Sequence, residues 1–398
     1  MEHGTALVAT IAVGLTVAFL GGLVARLVRL PPIVGYLLAG VAIGPFTPGF
    51  VGDQDVALEL AEIGVVLLMF GVGLHFSIRD LLEVRRVAIP GALGQITVAT
   101  GLGVAVGLAI GAETEEALIL GVAVSVASTV VLLRALQQRG QVRDPAGRIA
   151  IGWLLVEDLF TVMVLVVLPV IAQDGAAGNP GWKDALAHLG LALGKTALLG
   201  VVTLVAGARL IPWLFEHVER TGNRELFTLA IMATALGVAF ASAEIFGLSL
   251  ALGAFLAGVM LTGSRLTDRI THDLLPLTDV FGVLFFVAVG MLLDPGVLVR
   301  EPVALLAVVA IVVVGKSLAA VAITKLLREP AQVGGIVAAG LAQVGEFSFI
   351  VVTAGLELGI VSDETLQLVV AAALISISVN PLMFRLSDAV VRRSTVRA

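Results

Sequence analysis

The chain has 398 residues, of which 59% are hydrophobic and 14% charged, and its mean hydropathy is +1.08. That balance excludes a soluble globular protein and leaves an all-α polytopic membrane protein. Cysteine is absent, so disulfides and thiolate metal sites are excluded, and with a formal net charge of only -6 the placement of charge matters more than its sum.

The first apolar run, near 5–27, is preceded by Glu2 and His3 and followed by Arg26 and Arg29. This reverses the charge order of a signal peptide, so a retained first helix is expected. Further runs fall near 32–46, 57–76, 87–110, 116–137 and 148–172, then near 187–213, 225–243, 247–262, 274–293, 303–327, 333–356 and 364–388. The pattern predicts about 13 transmembrane helices, the second and ninth short against the roughly 20 residues that a span needs. In the fourth, Gly103, Gly107 and Gly111 recur every four residues, which lets one helix backbone approach another closely.

Charge placement gives the orientation. With the N-terminus outside, inner loops carry 20 of the 24 Lys and Arg residues, outer loops carry Lys183 and Arg300, and spans carry Lys195 and Lys316. The expected arrangement is therefore an outside N-terminus and a cytoplasmic C-terminus in a multi-pass cell-membrane protein. Lys195 sits near a helix end and reads as a snorkelling residue, and His75, His217 and His272 read as interfacial residues rather than pH sensors.

The two halves resemble each other. GYLLAG (Gly35 to Gly40) matches GAFLAG (Gly253 to Gly258), and LLMFGVGL (Leu67 to Leu74) matches FFVAVGM, with Gly73 falling on Gly290. An offset near 217 places six helices in each half with one between them, and an odd connecting span inverts the second half. The expected organisation is a first repeat over 1–172, a connecting helix within 173–218, a second inverted repeat over 219–390 and a cytoplasmic tail over 391–398.

The stretch WLLVEDLFTVMVLVVLP, from Trp153 to Pro169, puts Glu157 and Asp158 at the centre of a span. Each acid costs about 2.5–3.5 kcal/mol to insert there, so the pair calls for a function. Adjacent helical residues point about 100° apart. One acid can therefore face a basic partner while the other lines an aqueous path. Lys316, central in its own helix, is the expected partner of Glu157, leaving Asp158 to the path. Glu346 is central in the next span and Thr129 lies 217 positions before it. Ser125, Ser128 and Thr129 on one side, and Gly345 and Glu346 on the other, have the small polar character of unwound transport helices, a pattern that is equally compatible with ordinary spans.

Several stretches, in order, resemble the Kef-type branch of the monovalent cation:proton antiporter superfamily over roughly Leu30 to Pro381. They are PPIVGYLLAGVAIGP, VASTVVLLRALQQRG, DPAGRIAIGWLLVEDL, GLSLALGAFLAGVMLTGS, FFVAVGMLLD and LAQVGEFSFIV. The resemblance implies a thirteen-helix antiporter fold with a dimerisation domain, a mobile core domain and two crossed broken helices, and it implies a homodimer. It places the crossing at Ser128, Thr129, Gly345 and Glu346, the ion- and proton-binding aspartate at Asp158, the preceding position at Glu157 and the facing lysine at Lys316. Thr129 and Ser128 join the acids as expected ion- and proton-binding residues, and Lys316 and Glu346 are expected to compensate charge. Many Kef-type potassium transporters resemble glutamine followed by aspartate where this chain has two acids, which are more like those of sodium/proton exchangers. Both cations therefore stay open. Many relatives also continue into a nucleotide-binding regulatory domain; either such regulation is absent here or it resides in a domain or subunit outside this sequence.

The expected function is exchange of K+ or Na+ for protons across the lipid bilayer. A cation channel or an efflux pathway without obligatory proton coupling is the alternative, although no filter-like motif such as TVGYG is present. A symporter of organic anions is disfavoured by the surplus of central carboxylates. No enzymatic motif, cofactor or nucleic-acid partner is indicated.

Overall fold

The computed structural model describes residues 2–75, 78–176, 194, 208–246, 250–262 and 264–396, and every regular element among them is a helix. In chain order these are α1 (Glu2–Leu27), α2 (Pro32–Ile43), α3 (Gln54–His75), α4 (Ile78–Ala109), α5 (Thr114–Ser125) and α6 (Thr129–Gln138). They continue with α7 (Pro145–Ala176), α8 (Ala208–Arg220), α9 (Arg224–Phe246), α10 (Leu250–Leu261) and α11 (Thr267–Met291). After a single helical turn at Val297–Arg300, the last four are α12 (Pro302–Leu326), α13 (Ala331–Leu341), α14 (Glu346–Glu357) and α15 (Asp363–Val396).

Among the described residues, eight helices are long and apolar enough to cross a membrane, or nine if α13 and α14, bent by 42° at a short break, count as one span. The two short helices expected from sequence are α2 and α10, at 12 residues each. The expected connecting helix near 187–213 lies outside the described residues except for residue 194 and the start of α8. Lys183 and Lys195 lie outside them too.

Local chemistry sets the helix ends. α1 terminates with Arg29 in the left-handed region (φ 65), Arg29 N–H donating to Arg26 O at 3.1 Å and Leu30 N–H to Ala25 O at 2.8 Å. Pro31 and Pro32, which lack the N–H needed to continue, then start α2. α12 ends the same way with Arg328 (φ 61), Arg328 N–H on Lys325 O, Glu329 N–H on Thr324 O, and Pro330 next.

The chain divides into two units. One comprises residues 1–17, 50–77 and 162–288; the other comprises 18–49, 78–161 and 289–398. In the first, α3 and α10 meet through glycine. A methyl group on Gly73 would lie 2.2 Å from Phe255 O, and one on Gly258 would lie 2.2 Å from Phe70 O, so only hydrogen fits at either position. Thr262 Oγ1 donates to Gly73 O at 2.7 Å and closes the same seam.

In the second unit, Gly290 meets α2 likewise: an added methyl would lie 2.1 Å from Leu37 O and 3.0 Å from Gly40 Cα. α4 packs on α5 with Gly103 against Gly121 and Gly107 against Ala117. Gly111 does not share that face. α4 stops at Ala109, and Gly111 takes φ 90 in the turn beyond it.

The apolar runs near 116–137 and 333–356 are not continuous helices. The first breaks between Ser125 and Thr129 and the second between Leu341 and Glu346. The two extended stretches cross: Gly345 N–H donates to Val126 O at 3.3 Å, and a methyl on Gly345 would lie 2.6 Å from the Ala127 carbonyl.

Candidate ion-binding site

Two broken helices put four helix ends in one buried place, and each break exposes backbone groups that a continuous helix would satisfy internally. The freed carbonyls find side-chain donors. Gln95 Nε2 on α4 donates to Ser125 O at 3.0 Å, and Ser348 Oγ donates to Ala123 O. At the end of α13, Ser317 Oγ donates to Ala338 O at 3.0 Å, Asn380 Nδ2 to Ala339 O at 2.8 Å and Gln343 Nε2 to Gly340 O at 3.2 Å. Gln343 Nε2 also reaches Ser128 O at 3.1 Å, which ties one break to the other.

Lys316 completes the set. Its side chain is 0% exposed, and Nζ donates to Val126 O and to Gln343 O, each at 3.0 Å. These carbonyls follow the C-terminal ends of α5 and α13, where the helix dipole is negative, so one ammonium serves both breaks. Lys316 directly follows a π-helical turn, Ile311–Gly315, within α12, a local widening of the kind often found at functional positions.

The acids occupy the opposite ends. Glu157, 0% exposed, accepts from Ala127 N–H at 3.0 Å through Oε2, and its Oε1 has no protein partner. The Trp153 indole lies near the same carboxylate but outside hydrogen-bond geometry. Asp158, 3% exposed, accepts from Thr129 Oγ1 at 3.0 Å through Oδ2, while its Oδ1 has no protein partner. Thr129 is the first residue of α6 and Glu346, also buried, the first of α14. Both carboxylate regions thus face the positive N-terminal ends of half-helices, and Glu346 lies within Coulomb range of Asp158.

The structure brings the six sequence-predicted residues, Ser128, Thr129, Glu157, Asp158, Lys316 and Glu346, to this crossing. Two roles are finer than the sequence suggested. Lys316 interacts with Glu157 through space, while its hydrogen bonds go to backbone carbonyls. The Ser128 hydroxyl is the N-cap of α6, accepting from Val131 N–H at 3.1 Å, so its carbonyl rather than its hydroxyl joins the crossing. Sequence reasoning missed Gln343 and Gln95. Each is fully buried and has an amide oxygen without a protein donor. The signal was there: a polar amide inside an apolar span needs a partner just as a charge does.

His217 and His272 are exposed near helix ends, in keeping with an interfacial role, and the side chain of His75 is outside the description. Among the described residues no group of three or more His, Cys, Asp or Glu residues is placed to hold a metal ion.

A family model described as "Sodium/hydrogen exchanger, transmembrane" matches residues 15–386. The chain is 49% identical over 388 residues to the putative cation/proton antiporter YbaL of Escherichia coli, covering 98% of this chain and 70% of that protein. It is 31% identical over 388 residues to K(+) efflux antiporter 4 of Arabidopsis thaliana, covering 97% of this chain and 64% of that one. Among solved structures, the sodium proton antiporter MjNhaP1 of Methanocaldococcus jannaschii superposes with a TM-score of 0.68 over 97% of this chain and 99% of that one. At 15% identity that likeness speaks for the fold alone. A matched span of this length, carrying the crossed broken helices and the buried acid pair, places the chain in the transmembrane sodium/hydrogen exchanger family.

Proposed function

We propose that the protein exchanges a monovalent cation, K+ or Na+, for protons by alternating access, with Asp158 as the shared binding group. The observation that carries this reading is the Asp158 carboxylate at the broken-helix crossing, one oxygen held by Thr129 and the other without a protein donor. An acceptor oxygen of that kind takes a proton or a cation, and competition for it couples the two fluxes. Glu157, anchored on Ala127 N–H, and Lys316, anchored on two carbonyls, hold the crossing in shape and balance its charge. Glu346 compensates the N-terminal end of α14.

The finer architecture is part of the proposal: about 13 helices, an inverted repeat, and core and dimerisation domains in a homodimer. The repeat finds support in the element positions. Thr129 and Glu346 each open a half-helix 217 positions apart, and α5 and α13 likewise begin at Thr114 and Ala331. The glycine seams recur at nearly the same spacing, Gly73 with Gly258 in one unit and Gly290 with Gly40 in the other, the pairs lying 217 and 218 positions apart. Residues 1–172 and 219–390 would then be the repeats, 173–218 the connector and 391–398 the tail. Arginine placement supports an outside N-terminus, a cytoplasmic C-terminus and residence in the cell membrane.

Purified protein in vesicles holding a pH-sensitive dye tests the reading. Addition of sodium, potassium, rubidium or lithium should dissipate an imposed pH gradient for at least one of these ions, and their order identifies the transported cation. Asp158→Asn should reduce the initial rate by about 100-fold or more while melting within a few degrees of the parent, as expected for a group acting in transport rather than packing. Exchange at the parental rate in Asp158→Asn would remove Asp158 from the mechanism.

A further inference from the structure

A cavity of about 580 Å³ opens within the second unit among the end of α1, the start of α2, one side of α6 and the middle of α15. Arg26, Arg29, Arg139 and Arg385 line it, and no acidic residue does. Its inner wall includes Val131 and Asn380, both buried, whereas Arg26, Arg29 and Arg385 are exposed at its mouth. Asn380 in that wall donates to Ala339 O near the end of α13, so the inner side of the cavity adjoins the polar crossing.

This lining is wrong for a cation. Four guanidinium groups around one concavity repel monovalent cations and concentrate anions. Three of the four arginines are not consumed by internal pairing. Arg139 bonds to Asp388 and Gln141 and lies over the Phe384 ring at 5.3 Å, which fixes the plane of its guanidinium. Among the described residues no ion pair involves Arg26, Arg29 or Arg385.

Arg29 holds a left-handed conformation (φ 65) at the end of α1, a position where glycine would be less strained. Arg328 ends α12 in the same conformation (φ 61) away from this cavity, so what sets Arg29 apart is its place in the lining beside three other arginines. Guanidinium forks bond in pairs to the oxygens of phosphate and carboxylate groups, and a phosphate group offers more oxygens than a carboxylate for several arginines to share.

We infer that this arginine-lined cavity is a binding site for a phosphate-bearing anion, either the headgroup of an anionic phospholipid or free phosphate. The inference stands apart from the exchange reading because its test measures binding, not transport.

The full chain, purified in detergent, is melted with dioleoyl phosphatidylglycerol, with dioleoyl phosphatidylcholine as the zwitterionic control, and with inorganic phosphate against chloride at matched ionic strength. Phosphatidylglycerol or phosphate is expected to raise Tm by about 2 °C or more over its control, and the rise should fall below half in Arg26→Gln/Arg29→Gln/Arg385→Gln. A response to the lipid alone assigns a headgroup, one to phosphate alone assigns a free anion, and one to both leaves the shared chemistry intact. Arg29→Gly guards against a triple variant that does not fold. Glycine suits φ 65, so its Tm without anion should equal or exceed the parent's while the anion-induced rise shrinks. No rise with either anion, or a rise undiminished in both variants, overturns the assignment.

Discussion

The seam where α3 meets α10 and the crossing of α5 and α6 with α13 and α14 both press backbone against backbone, with opposite materials. At the seam, Gly73 and Gly258 delete their side chains so that helices with unbroken hydrogen bonding can touch. At the crossing the helices are broken, and side chains of Gln95, Ser317, Lys316, Gln343 and Asn380 supply the missing donors. The lesson concerns what each can bind. The glycine seam occupies its Gly73 carbonyl with the Thr262 hydroxyl, whereas the crossing leaves Asp158 Oδ1, Glu157 Oε1 and two amide oxygens without protein donors. Only the second kind of contact can hold a desolvated ion.

The contrast predicts different failures. Lys316→Met should be the most damaging change at the crossing, because it strands the Gln343 carbonyl and the nearby acids and leaves the Val126 carbonyl only the longer bond from Gly345 N–H. A loss of about 3–5 kcal/mol is expected from removing one member of a buried charged set, read as a large fall in Tm. Adding Glu157→Gln should recover only part of it, since the Gln343 carbonyl stays without a donor. Full recovery would mean that the through-space pairing with Glu157 is the whole role of Lys316.

At the seam, volume rather than charge should matter. Gly73→Leu meets rigid backbone at Phe255, and overpacking of this kind costs roughly 1–3 kcal/mol or more. Yield of monodisperse protein and Tm report it; a variant as stable as the parent would show that α3 and α10 can separate freely.

A smaller and more selective effect is expected at Thr129. Thr129→Val keeps the side-chain shape and removes the donor to Asp158, so folding should survive. A hydrogen bond to a charged group contributes about 1.5 kcal/mol, which corresponds to roughly a tenfold change in apparent cation affinity. Flux against cation concentration in vesicles measures it, and an unchanged half-saturation would separate Thr129 from the binding group.

The mildest effect lies in the loop between α11 and α12, outside both regions. There Gly296 N–H and, beyond it, Arg300 hold the Asp294 carboxyl below the usual carboxylate range. A depressed folded value gives stability that is present above the ordinary carboxylate range and is lost as pH falls through the folded value. Asp294→Ala should therefore melt slightly below the parent at neutral pH, with the gap closing on acidification; a gap that is constant with pH would assign the effect to packing.

Much of this was legible beforehand for identifiable reasons. Glu157, Asp158 and Lys316 stand out because a charge in an apolar run of span length has no inexpensive explanation. The short second and ninth helices, and the spacing that links Thr129 to Glu346, follow from run lengths and recurring glycines. Gln95 and Gln343 were passed over because a neutral amide barely disturbs a hydropathy profile, although it carries the same obligation to find partners once buried. Gly111 was misplaced because a four-residue recurrence carries no mark of where the helix stops.

Composition and the order of charges were enough to specify a helical membrane protein with carboxylates at mid-span, since the cost of charge in lipid is a property of each segment taken alone. Which atoms meet was left to the folded chain. Whether Lys316 turns to an acid or to two carbonyls, and whether the Ser128 hydroxyl serves an ion or caps a helix, depends on groups separated by up to some two hundred positions. Hydrogen bonding is short-ranged and directional, so those choices were made only when the two broken helices came together.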